Sequence, residues 1–311
     1  MKATQEQARA AVLAPLSYLE ANYPERRGWL SLAELRRYLW KAELANEEME
    51  HLVHRLPVHY EDRRIQWRGS SGIVMTDPQP RLWTSLSRRL WVFRLIPFVC
   101  MVGVMNSLAA GCATNDSDID LFVVAKTGRL WMVRAITLAM LTMLGLRTKV
   151  DGKQGRLSVD LFVSEAGMDL SSVGLPMDYL LAYWVADFTP VLYPERFREL
   201  WVANRWLKDF LPVAYRAPRQ WAGAEAGAKP MFVTRIAEWT LRGRMGDVLE
   251  QSLKSRQLLK IQKNTLKFNS EQINPAVVIT TDEVVKIHFD DAKRTKINQS
   301  VASALAGQGR G

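Results

Sequence analysis

Asn106-Ser-Leu-Ala-Ala-Gly-Cys-Ala-Thr-Asn-Asp-Ser-Asp-Ile-Asp-Leu121 is the stretch whose reading decides the fold. Before it, Phe98 to Met105 is rich in bulky β-formers and reads as a central strand. At Asn106 the composition changes to small residues, so Ser107 is expected to begin a helix, and Ile119 to Ala125 reads as a second strand. Asp118 and Asp120 lie two apart at the start of that strand, which turns both carboxylates to one face and Ile119 and Leu121 to the other. Two carboxylates aimed at one point repel unless a cation sits between them. Hard oxygen donors of this kind suit Mg²⁺ or Mn²⁺, which take one or two carboxylates together with substrate phosphates. A third strand is expected at Leu157 to Val163, with Leu157, Val159, Leu161 and Val163 on one face and Asp160 beside Ser158 on the other. A metal shared with Asp118 and Asp120 would give Asp160 its partner. Ser107 falls where a strand turns into a helix, a place where free backbone N–H groups and the helix dipole attract anions. The pattern thus predicts a triphosphate on Ser107 and the neighbouring amides, with two cations about 3.5–4 Å apart bridging the α phosphate and the attacking oxygen. Asp160 would bind on the nucleophile side and accept the hydroxyl proton.

These residues resemble the signature of the minimal nucleotidyltransferases of the DNA polymerase β superfamily, Gly-Ser-x-Ala-x-Gly, a short spacer, then Asp-Ser-Asp-x-Asp. Ser107, Ala109, Gly111, Asp116, Ser117, Asp118 and Asp120 fall in that register without a gap. The resemblance implies an α+β fold, a mixed sheet with covering helices. It also implies Mg-dependent transfer of a nucleoside monophosphate from an NTP to a hydroxyl acceptor, with pyrophosphate released. It carries over Ser107 as phosphate binder, Asp118 and Asp120 as metal ligands and Asp160 as the third carboxylate. Asn106 stands where the family has Gly, whose missing side chain lets phosphate approach the backbone; Asn tolerates unusual dihedrals but adds a side chain. Ala110 stands where many relatives carry Arg. Gly128-Arg-Leu-Trp131, Phe188-Thr-Pro-Val-Leu-Tyr193 and Asn204-Arg-Trp-Leu-Lys-Asp-Phe-Leu211 look like a bacterial group of such proteins with a winged-helix-like amino-terminal part.

Around this centre the chain divides into four expected parts: a winged-helix-like unit at 1–76, the nucleotidyltransferase core at 81–175, a mainly helical region with a short β-hairpin at 176–303, and a disordered tail at 304–311. In the first part, Ser31 and Glu34 form an S-x-x-E capping box that starts a helix, and Asn46 is expected to cap the next one. Short strands follow at 58–60, 64–68 and 72–75. Arg36, Arg37, Arg55, Arg63, Arg64 and Arg68 offer contacts to nucleic-acid phosphates; the competing reading, slightly favoured, is a solvated face on a packing module. The core has helices at 83–95 and 128–146. Beyond it, helices are expected at 177–188 and 194–211, an exposed linker at 214–230, a basic helical stretch at 231–263, and short strands at 277–280 and 284–289.

The 311 residues suffice for roughly two domains. With 48% hydrophobic and 24% charged residues, collagen-like and low-complexity classes are excluded. A net charge of +10 favours an anionic partner: nucleic acid, nucleotide phosphates or an anionic membrane surface. Cys100 and Cys112 are too few for a disulfide framework or a cysteine-rich zinc site and suit a reducing cytoplasm. Cys100 is expected in a buried strand and Cys112 in an accessible loop. The uncharged run from Leu95 to Cys112 reaches the lower limit of a membrane span, about 17–25 residues, but Pro97, Gly103, Asn106 and Ser107 break it; no integral membrane segment is expected. Lys126, Arg129 and His288 read as surface groups before phosphate contacts or acid–base partners, and most tryptophans, Trp201 and Trp206 among them, as core. The acceptor stays open between a protein side chain, a nucleic-acid end and a small molecule. A catalytically silent nucleotide sensor, or a protein that binds nucleic acid or a partner, is the competing class. Peripheral membrane attachment through basic and aromatic helices is a third.

Overall fold

The computed structural model describes residues 5–23, 30–56, 58–61, 64–67, 79–148, 154–174, 178–225, 227–271, 278–287 and 291–306. It is an α+β structure with two sheets. The first contains β1 (Leu30–Ser31), β2 (Val58–Glu61) and β3 (Arg64–Trp67), antiparallel in the order β1-β3-β2. Three helices, Gln5–Asn22, Leu32–Arg37 and Asn46–Val53, accompany it. The capping box forms as the sequence predicts: Glu34 N–H donates to Ser31 Oγ at 3.2 Å, and Ser31 N–H donates to Glu34 Oε2 at 2.9 Å. The next helix differs by one residue. Ala45 occupies the cap position, its N–H donating to Glu48 Oε2 at 3.1 Å, and Asn46 is the first helical residue. β1 is a pairing that two residues are too short to announce, and the strand expected at 72–75 lies outside the described residues.

The second sheet is mixed and six-stranded. It comprises β4 (Val99–Val104), β5 (Ile119–Ala125), β6 (Leu157–Ser164), β7 (Thr189–Leu192), β8 (Val278–Thr280) and β9 (Val284–Ile287), in the order β7-β4-β5-β6-β9-β8. β5 and β6 form its parallel pair, joined through the helix Leu130–Met143; the other neighbours are antiparallel. The sheet separates two apolar layers. Ile119, Leu121 and Val123 face a layer built with helices Gln79–Ser87, Leu130–Met143 and Arg244–Glu271. Phe122 and Val124 face a layer built with helices Gln5–Asn22, Tyr179–Ala186 and Asp291–Leu305. Gly103 lies opposite Phe122 in register, and a Cβ there would stand 2.2 Å from the Phe122 ring, so only glycine lets β4 and that ring pack together.

One irregularity changes the expected facing of β6. Leu121 pairs with Val159 and Phe122 with Leu161, so Asp160 is an extra residue on its strand, a β-bulge. Leu157 and Val159 pack into the first layer, whereas Leu161 and Val163 pack into the second. The expectation that all four share a face is therefore corrected. An inserted residue reverses the alternation beyond it.

Other expectations also change on long-range packing. Residues 194–211 break into two 3-10 turns around the helix Phe197–Ala203. The segment around 217–225 is pinned: Trp221 stacks on Trp83 with centroids 4.8 Å apart, and Arg219 pairs with buried Asp187. The expected hairpin at 277–289 is annexed to the main sheet through β6 and β9. Ala304, expected in a tail, is buried in the helix Asp291–Leu305 against the core of the amino-terminal helices. No described helix is long and apolar enough to cross a membrane.

Three buried tyrosines, Tyr18, Tyr38 and Tyr183, and the partly buried Tyr23 belong to the second layer, and desolvation pushes each phenol above its usual range. A raised folded value means stability that is present below the unfolded tyrosine value, about 10, and lost as pH rises through the folded one. Urea midpoints measured from pH 8 to 11 should therefore hold below about pH 10 and fall above it.

Candidate active site

Asn106, Ser107, Asp118, Asp120 and Asp160 line one cavity of about 310 Å³ on the second-layer side of the sheet. Adjacent parallel strands bring the carboxylates there: Asp120 pairs with Ser158, and the bulge follows two residues on. The loop before β5 is tied down by its own polar residues. Thr114 N–H donates to Ser117 Oγ at 2.9 Å, Gly155 N–H donates to the Ser117 carbonyl at 2.9 Å, and Gln154 Nε2 donates to Asp116 Oδ1 at 2.8 Å. Asp116 and Ser117 thus hold the turn that delivers Asp118. Asp118 Oδ2 lies 3.4 Å from Thr148 Oγ1, and Asp160 Oδ2 accepts from Ser158 Oγ at 3.1 Å. Behind Asp160, burial lowers the Arg134 guanidinium to about 10; Arg147 adds repulsion, and Asp160 pulls the other way.

Asn106 adopts φ +58°, the left-handed conformation for which glycine is the usual choice and which asparagine tolerates best among side-chain-bearing residues. The backbone at this position is thus the one a glycine would provide, with a side chain added to the cavity wall. The helix begun here, Asn106–Ala109, is a single turn. It ends as Gly111 takes φ +68° and Cys112 N–H donates back to the Ser107 carbonyl at 2.6 Å.

The rest of the lining comes from elements remote in sequence. Tyr23 follows the first helix, Trp184 lies on Tyr179–Ala186, Lys286 on β9 and Arg294 on Asp291–Leu305. Lys286 pairs with Leu161, next to Asp160, and is buried. Arg294 is also buried and ion-pairs with Asp178, whose other oxygen caps Tyr179–Ala186 by accepting from Leu181 N–H at 3.1 Å. Sequence reading missed both cations. The signal for Lys286 was a lysine inside an apolar alternating strand, Val284-Val-Lys-Ile287.

Among the described residues, no group of three or more His, Cys, Asp or Glu side chains is gathered closely enough to hold a metal. Asp118, Asp120 and Asp160, expected to share a metal, line one cavity without forming such a group, so a cation there would rest on Asp118 and Asp120. Their hard oxygens are the donors Mg²⁺ accepts when phosphate oxygens complete its shell, so the residues present fit that ion.

Other candidates lie elsewhere. Lys126 is exposed at the far end of β5. Arg129 is buried and spent on the Leu241 and Arg242 carbonyls, at 3.2 and 3.1 Å, and on Asp247 at 2.8 Å. Arg37 donates to the Ala186 and Ala217 carbonyls, which makes it a packing residue and not a phosphate contact. Arg55 is exposed; Arg63, Arg68 and His288 lie outside the described residues. Trp201 is buried and Trp206 partly so, in keeping with their reading as core.

The cysteines reverse their expected order: Cys112 is buried, and Cys100 is the partly exposed one. Burial, with Glu165 beside it, pushes the Cys100 thiol up to about 12. At pH 8 the native protein should therefore react with Ellman's reagent about a thousandfold more slowly than a free thiol, while both cysteines titrate in denaturant. A fast native thiol would contradict this.

Comparisons with known protein families, with curated proteins and with solved structures return no match.

Proposed function

We propose that the protein is a nucleotidyltransferase that moves a nucleoside monophosphate from an NTP to a hydroxyl acceptor and releases pyrophosphate. One observation carries the reading: Asn106, Ser107 and the three carboxylates Asp118, Asp120 and Asp160 line one cavity together with Lys286 and Arg294. Carboxylates and buried cations on one cavity suit a ligand that brings phosphates and metal together. Mg²⁺, or Mn²⁺ in its place, bound at Asp118 and Asp120 would neutralise phosphate charge and acidify the attacking hydroxyl.

The chain's own residues supply the rest. Ser107 and the amides of its one-turn helix would hold the β and γ phosphates, with Lys286 and Arg294 offsetting their charge. Tyr23 and Trp184 line the cavity and would offer aromatic surfaces against which a base could stack. Asp160 would take the proton as the acceptor oxygen bonds to the α phosphorus and the bond to the bridging oxygen breaks, pyrophosphate leaving with that oxygen. Helix, strand, two helices and hairpin, with sheet order β1-β3-β2, support reading the amino-terminal part as a winged helix. A cytoplasmic setting, where NTPs are available, accords with this chemistry.

The test is transfer from α-labelled NTPs in Mg²⁺, with cell lysate as a mixed pool of protein, nucleic-acid and small-molecule acceptors. Label on an acceptor with matching pyrophosphate supports the proposal. Metal-dependent binding without transfer would replace it with a nucleotide sensor, and no metal-dependent binding would overturn it.

A further inference from the structure

Away from the cavity, the helices Phe232–Leu241 and Arg244–Glu271 turn an apolar, basic face to solvent. Phe232 is 77% exposed, Trp239 65%, Met245 72% and Val248 71%, and Val233, Ile236 and Leu249 are exposed beside them. In the first helix, Phe232, Val233, Ile236 and Trp239 fall on one side at helical spacing. Among the described residues, nothing covers the exposed side chains of this side. The inner side makes the contacts: Thr234 Oγ1 donates to the Arg94 carbonyl at 2.8 Å, Glu238 Oε1 accepts from Phe98 N–H at 2.7 Å, and Glu250 accepts from Trp131 and Met132 N–H, each at 2.8 Å. Gly246 makes the sharp connection, since a Cβ there would stand 1.7 Å from the Leu241 carbonyl oxygen.

Charge is sorted in the same way. Between 232 and 266 the acidic residues are Glu238, Asp247 and Glu250. Glu238 and Glu250 serve the inner contacts, and Asp247 pairs with Arg129 at 2.8 Å. Arg235, Arg242, Arg244, Arg256, Lys260 and Lys263 are all exposed. Protruding aromatic and aliphatic side chains, with cations that form no ion pair among the described residues and Arg242 lying over the Trp239 ring, match a surface that offers hydrocarbon below a layer of negative charge. Nucleic acid presents the charge without the hydrocarbon, and a second copy of the same face would set cation against cation. We propose that this face seats the protein on an anionic lipid bilayer, with Phe232 and Trp239 entering the interface and the cations meeting headgroup phosphates and carboxylates.

The experiment is co-sedimentation of the full chain with phosphatidylcholine vesicles, with and without phosphatidylserine, for three proteins: wild type, Phe232→Ser/Trp239→Ser, and Arg235→Gln/Arg242→Gln/Arg244→Gln. All the replaced side chains are exposed, so matching melting curves establish that the variants are folded. Wild type should pellet with the phosphatidylserine vesicles and be released by salt. The aromatic variant should bind them roughly tenfold more weakly or worse, because the buried apolar area is gone. The arginine variant should lose about a hundredfold, each cation near an anionic surface being worth about fivefold. Equal binding by wild type and the aromatic variant would overturn the proposal, as would failure of wild type to bind. A lipid-free dimer dissolved by the aromatic substitutions would assign the face to self-association. Binding of duplex DNA lost in the arginine variant, with no vesicle binding, would assign it to nucleic acid.

Discussion

On the proposed mechanism, Asp118→Asn and Asp120→Asn should each lower Mg²⁺-dependent label transfer by about a thousandfold or more, since each removes a charge that would hold the cation against the phosphates. The amide keeps the size of the side chain and both positions are half-buried at a cavity wall, so the fold should persist. Asp160→Asn separates the roles. If Asp160 accepts the hydroxyl proton, its loss should cost about 10²- to 10⁴-fold in turnover with little change in NTP affinity. Titration with a non-hydrolysable NTP, read against turnover, distinguishes a binding defect from a chemical one. Transfer retained in the Asp118→Asn/Asp120→Asn double variant would remove the carboxylate pair from the mechanism.

Asp187→Ala should destabilise the protein by about 2–3 kcal/mol, measured by urea denaturation, because it leaves the partly buried Arg219 guanidinium and the buried Tyr38 hydroxyl without the carboxylate they share. Asp187 is 1% exposed. Its Oδ1 accepts from Tyr38 Oη at 2.5 Å and from Arg219 Nε at 2.7 Å, and Arg219 Nη2 donates to Tyr38 Oη at 2.6 Å. Burial works to lower the Arg219 guanidinium, but the Asp187 carboxylate outweighs it and the net shift is upward. The triad joins Tyr38, just after the helix Leu32–Arg37, to the residue that follows the helix Tyr179–Ala186 and to the segment beyond residue 216. Asp187→Ala/Arg219→Ala should lose clearly less than the sum of the single losses, because the second substitution removes the orphaned charge. Additive losses would show that the pair is not coupled.

Much of the site was legible in the sequence because its signals are local. Period-two alternation placed β5 at Ile119–Ala125 and turned Asp118 and Asp120 to one side, and the capping box started the helix at Leu32. What failed depended on distant partners. Thr189–Leu192 carries Pro190, which argues against a strand, yet β7 is at the edge of its sheet, where a missing N–H is tolerated. Asp291–Leu305 is short on large apolar residues, so it gave no helical stripe of its own; Ile297 and Val301 find their core only when the first helix and Tyr179–Ala186 are in place.

By itself, then, the sequence determined the strand–turn–strand unit, the side on which two carboxylates emerge and the excess of positive charge. These follow from backbone geometry and composition over a few residues. Only the tertiary structure decided that Asp160 sits on a bulge, that Lys286 and Arg294 close the cavity, and that Phe232 and Trp239 stay outside. Pairing register and burial are set by which surfaces meet across the whole chain, and no short window of sequence contains both surfaces.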